Sequence, residues 1–80
     1  MKVAVEMSLY PLLQEYGPVI LDFIARLNEY PELEVHTNKM STQVFGTYDN
    51  VMRILTLEIK TTFEKVPTQV MVIKLINSGL

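Results

Sequence analysis

His36, Ser8, Ser41 and Glu6 are the side chains of this 80-residue sequence that first invite a chemical reading. His36 is the one histidine, so a metal site would need carboxylates for its remaining ligands, and no His-x-x-x-His or Asp-x-Asp spacing supplies them. Neither serine has a base evident in the sequence or sits in a Gly-x-Ser-x-Gly elbow, which nucleophilic attack would require. There is no cysteine, so thiolate chemistry, disulfides and thiolate metal sites are excluded. Gly17, Gly46 and Gly79 lie too far apart to form a phosphate-cradling loop. The expectation is a protein without catalysis, resident cofactor or bound metal.

Glu6 is more informative. It falls in the middle of an alternating segment, opposite the apolar set, with Ser8 and Tyr10 on its own side. A carboxylate on a sheet face is costly if a second subunit buries it unpaired. It reads either as a solvated residue bridged to Lys74 or as a polar anchor for a cationic or amino-bearing ligand. Tyr10, Tyr16, Tyr48 and Phe45 could wall a ring or a quaternary cation, though packing at half-wet boundaries is the commoner role of tyrosine. Ser41, Thr42 and Gln43 concentrate neutral donors and acceptors on one strand, which suits a heterocycle with ring nitrogens and an exocyclic amine, or is ordinary strand polarity.

The elements that hold these groups follow from periodicity. Val3, Val5, Met7 and Leu9 alternate with Lys2, Ala4, Glu6, Ser8 and Tyr10, predicting a half-buried strand ended by Pro11. Pro18 opens a helix whose apolar stripe is Val19, Ile20, Phe23, Ile24 and Leu27, with Asp22, Arg26 and Glu29 toward the other side and Pro31 as the stop. A short strand through Leu33, Val35 and Thr37 turns at Asn38-Lys39 into a second over about 41–45. A break at Gly46-Thr47-Tyr48-Asp49 leads to a second helix capped by Thr47 or Asp49. Its expected stripe is Val51, Met52, Leu55, Ile59 and Phe63, widened by Ile54 and Leu57, and Pro67 marks the exit. A last strand over about 69–76 is apolar on both faces, the mark of a strand covered on both.

The order β-α-β-β-α-β predicts a ferredoxin-like α+β domain spanning 1–80, a four-stranded antiparallel sheet with both helices on one face. The other face is bare in a single copy. With 49% hydrophobic residues in so short a chain, homodimers or homotetramers formed through sheet pairing or sheet-face packing are expected. A net charge of −2 and scattered Lys and Arg disfavour nucleic acid, which wants a concentrated cationic face. Apolar runs far below the ~20 residues of a membrane span, and Glu6 inside what would be a signal core, argue against membrane and export. The lack of cysteine is compatible with a cytoplasmic location.

Two stretches, Val5-Glu6-Met7-Ser8-Leu9-Tyr10-Pro11-Leu12 and the Ser-Thr-Gln-x-x-Gly-x-Tyr-Asp-x-Val-Met run of residues 41–52, resemble the YkoF-like thiamine/hydroxymethylpyrimidine-binding family. The resemblance implies a ferredoxin-like fold, no catalysis, and binding of thiamine or its pyrimidine moiety. Family members with two such units in tandem imply that this single unit pairs with a copy to recreate the arrangement, the pocket being associated with that assembly. On this reading Ser8, Thr42 or Gln43 hydrogen-bonds the aminopyrimidine, Glu6 meets the amine or the thiazolium charge, and Tyr10 or Tyr48 lies along the ring. The competing reading is a structural or regulatory oligomerisation module with no pocket at Glu6. An acylphosphatase on the same scaffold would want an arginine-bearing anion loop, and residues 10–17 contain no Arg or Lys. An RNA-recognition unit would want basic charge with paired exposed aromatics.

Overall fold

The computed structural model describes residues 1–77, so Gly79 and the end of the 1–80 assignment lie outside the described residues. The elements are β1 (Lys2–Pro11), α1 (Tyr16–Leu27), β2 (Glu34–Thr37), β3 (Thr42–Thr47), α2 (Tyr48–Lys65) and β4 (Gln69–Asn77). They form one antiparallel sheet in the order β2-β3-β1-β4 with two helices, the ferredoxin-like arrangement read from the sequence.

The alternation of β1 sorts its side chains as expected. Val3, Val5, Met7 and Leu9 are buried beneath the helices with Val44 of β3, while Glu6, Ser8 and Tyr10 occupy the open face. Phe23 and Leu27 of α1 and Val51, Ile54 and Leu55 of α2 complete the core. Between β3 and α2 there is no loop: Gly46 and Thr47 finish the strand and Tyr48 begins the helix. Thr47 is the cap, its Oγ1 accepting from the Asn50 N–H at 3.4 Å. Gly46 allows this compact junction, because a Cβ there would stand 3.1 Å from the Val51 Cγ2 and 3.2 Å from the Glu32 carbonyl oxygen.

Helix α2 is rotated from its expected phase. Met52, Leu57 and Phe63 are exposed, and the buried line is Val51, Ile54, Leu55, Glu58 and Thr62. Two polar residues enter the packed face because Arg26 of α1 reaches across to meet them. Its guanidinium donates to the Glu58 carboxylate, to the Thr62 hydroxyl and, at 3.2 Å, to the Glu58 carbonyl, and its Nε donates to Asp22 at 3.0 Å. The Tyr30 hydroxyl donates to the other oxygen of Glu58, and Lys65 pairs with Asp22 at 3.0 Å. Arg26 and Asp22 therefore face α2 rather than the solvent side, a correction to the helical-wheel reading. A polar seam joins the two helices because the buried charges are mutually satisfied. The hydrogen bond from Lys65, then that from Arg26, hold the Asp22 carboxyl below its ordinary range against some loss of hydration. The bond from Tyr30 to the Glu58 carboxylate pushes the Tyr30 hydroxyl upward.

The helical layer covers only the start of β4, where the Gln69 amide donates to the Thr62 carbonyl at 2.6 Å and Met71 packs on the core. On the helix side of that strand Ile73 and Leu75 are 46% and 48% exposed, and on the other side Val70, Val72 and Ile76 are exposed as well. In the single copy, then, the strand expected to be covered on both faces is open on both beyond Met71, and it is an edge strand.

Candidate functional site

The ten residues of β1 outrun the six of β3. Pairing between them ends at Met7–Thr42, whereas β1 stays paired to β4 as far as Pro11–Gln69. The overhang of about four residues, roughly 13 Å of strand, leaves a notch beside β1. The β2–β3 turn closes one side of it and the start of α1 the other. The resulting cleft has a volume of about 480 Å³ and takes its walls from Ser8 to Leu12, Tyr16, Ile20, Phe23, Ile24 and the turn from Thr37 to Thr42. That volume is in the range of small-molecule sites, about 300–1,000 Å³.

The notch follows from local chemistry. Asn38 builds the turn: its Oδ1 accepts from the main-chain N–H of Met40 at 2.7 Å and of Ser41 at 3.0 Å, and its own N–H donates to the Ser41 carbonyl at 3.0 Å. Met40 is thereby held off the β3 path, and the Ser8 hydroxyl donates to its carbonyl at 3.2 Å. Pro11 is tolerated at the end of β1 because the register turns its missing N–H away from β4 and into the notch.

The expected site residues divide. Ser8 and Tyr10 line the cleft, and Thr42 closes its base from the helix side, buried, with its hydroxyl 3.4 Å from that of Thr37. Glu6 and Gln43 are cross-strand neighbours on the open face and do not line the cleft. Glu6 is engaged by Lys74 at 3.5 Å and by the Ser41 hydroxyl at 3.1 Å, so the expected bridge to Lys74 is present. Tyr48 follows Thr47, the partner of Lys2, at the far end of the sheet, about 20 Å of strand from Thr42. Phe45 is on the open face too, edge-on to His36 with ring centres 5.8 Å apart, and His36 pairs with Glu34 at 3.0 Å. Lining residues not foreseen include Leu9, Leu12, Ile20, Phe23, Lys39 and Met40. The signal for them was the unequal lengths of the first and third strands. Lys39 is the one charged residue among the described residues that line the cleft.

Neither a family model nor a curated protein sequence matches the chain. Solved structures do. A Streptococcus pneumoniae protein superposes with a TM-score of 0.86 at 24% identity, covering 95% of this chain and 86% of its own. A Thermotoga maritima protein, described as a candidate for thiamine biosynthesis or salvage, superposes with a TM-score of 0.86 at 15% identity, covering 99% and 86%. A Methanocaldococcus jannascii protein of unassigned function gives 0.81 at 26% identity, covering 95% and 79%. The chain therefore shares the fold of a set of small proteins that includes this thiamine-related one, and the resemblance to the YkoF-like family holds at the level of the fold.

Proposed function

We propose that this chain is a non-catalytic, cytoplasmic small-ligand-binding protein that takes thiamine or its hydroxymethylpyrimidine moiety in the cleft beside β1. The observation that carries the reading is the cleft itself. Its walls include the aromatic residues Tyr10, Tyr16 and Phe23, with a few neutral polar residues, Ser8, Thr42 and Asn38, among them. Aromatic walls with sparse hydrogen-bonding groups suit a planar heterocycle. The description of the Thermotoga maritima neighbour points to the same ligand class. Titration calorimetry with thiamine and with the free pyrimidine tests it. Saturable binding is expected, and heats no greater than dilution up to millimolar ligand would end the proposal.

The same reading includes association with copies of the chain through β4. A nine-residue edge strand, apolar on both faces and exposed, is a template for pairing unless something covers it. Lys74 on the open face is already met by Glu6, so its charge guards that edge weakly.

A further inference from the structure

The register of the sheet fixes which way each main-chain group of β1 points. The Tyr48 N–H donates to the Met1 carbonyl at 2.9 Å, continuing the β1–β3 ladder through an odd-numbered residue of β1. The Leu12 N–H donates to the Thr68 carbonyl at 3.0 Å, continuing the β1–β4 ladder through an even-numbered one. Successive residues of a strand direct their amide groups to opposite sides, and each directs its own N–H and C=O to the same side. Val3, Val5 and Met7 therefore bond to β3, and Leu9 is the next residue to face that way. Its partner by register would be Met40, which the Asn38 turn holds off the strand with its N–H given to Asn38 and its carbonyl to Ser8. Leu9 lines the cleft. By this register its N–H and C=O point side by side toward the notch, a donor next to an acceptor, while its side chain is buried in the core.

We infer that Leu9 reads the ligand through its main chain, and that the cleft selects a neutral planar ring bearing an amidine edge, a ring nitrogen beside an exocyclic amine. This rests on the proposed ligand-binding role and specifies what is recognised. An amidine edge offers an acceptor and a donor with the spacing of a strand residue, so it replaces the missing partner at the end of the ladder. The electrostatics exclude the cationic part of thiamine from this recognition. Lys39 is the charged residue lining the cleft. The carboxylates next to lining residues in sequence, Glu6, Glu15 and Asp22, are not among the lining, and Glu6 is engaged by Lys74 and Ser41 and Asp22 by Arg26 and Lys65. A thiazolium ring finds no counter-charge among these lining groups. The aminopyrimidine alone carries the affinity, with Tyr10 and Tyr16 beside the ring.

The test uses the full chain, three ligands and amide-proton NMR. The ligands are the free hydroxymethylpyrimidine, the analogue with the ring amine replaced by methyl, and thiamine. The pyrimidine should shift the Leu9 amide resonance and slow its exchange, while Val5, bonded within the sheet, keeps its shift. The methyl analogue should bind about ten- to a hundred-fold more weakly, because it leaves the Leu9 carbonyl unpaired in a desolvated site. Thiamine should bind no more tightly than the pyrimidine. Equal affinity for the methyl analogue, or pyrimidine bound with the Leu9 amide unmoved, overturns the main-chain inference and leaves the ligand-binding role standing. Tighter binding of thiamine overturns the charge argument in the same way. Failure of all three ligands to bind at millimolar concentration overturns the inference together with the role it rests on.

Discussion

Replacing Arg26 by methionine leaves the Glu58 carboxylate, 9% exposed as a side chain, with the Tyr30 hydroxyl as its remaining side-chain donor. Removing one partner of a buried ion pair costs about 3–5 kcal/mol. Arg26 itself is 17% exposed, which places R26M near the low end, about 3 kcal/mol. A chain of this length has a total stability of roughly 4–12 kcal/mol, so the loss is large. Glu58→Leu should cost less, about 2 kcal/mol, because Arg26 retains Asp22 at 3.0 Å. The double variant should lie within about 1 kcal/mol of the wild type, since two apolar side chains then pack where two charges had been desolvated. Thr62 can turn its hydroxyl to the carbonyl four residues back. The assay is urea unfolding followed by circular dichroism at one fixed protein concentration, because any self-association shifts the midpoint. With a slope of about 1–1.5 kcal/mol per molar urea, R26M should lower the midpoint by about 2–3 M and the double variant by less than 1 M. Single losses below about 1 kcal/mol that simply add would refute the reasoning and make the seam an ordinary surface pair.

Four further outcomes follow from the fold. Gly46→Val should cost about 2–3 kcal/mol in the same assay, because the added atoms press on Val51 and on the Glu32 carbonyl, which is main chain and yields little. The Asp22 carboxyl is held low, so its stabilising contribution is present above its unfolded pKa and lost as pH falls through the depressed folded value. Stability of Asp22→Asn measured from pH 5 downward should lack that part of the acid slope. Tyr30 is raised, so its contribution is present below about pH 10 and lost as pH rises beyond it, and Tyr30→Phe should remove that alkaline slope. Ile73→Lys on the exposed edge strand should convert the proposed assembly to monomer in sedimentation velocity with unfolding little changed, because Ile73 is half exposed in the single copy.

Much of the fold was legible from spacing because the signals were local. The period of two in β1, the stripe of α1 and the hydroxyl cap at Thr47 each report on a few neighbouring residues. The α2 face was misphased because Glu58 and Thr62 are buried through a partner 32 and 36 residues away, Arg26, and no local pattern announces that pairing. The site was legible in part for the same reason. Ser8 and Tyr10 could be placed near Thr42 once the first and third strands were assumed to pair. Glu6 shares the open face with Ser8 and Tyr10 but lies where β3 still runs alongside, next to Gln43, and where a cleft opens along β1 depends on where β3 stops. Tyr48 looked close because it is close in sequence to Thr42, but six residues of extended strand carry it to the other end of the sheet.

The most direct test of the account is the location of binding. Titrating hydroxymethylpyrimidine into the labelled chain and mapping the amide shifts should give a cluster at Ser8, Leu9, Tyr10, Met40 and Thr42 that saturates below millimolar ligand. Shifts centred instead on Gly46 and Tyr48, or none at any concentration, would contradict it.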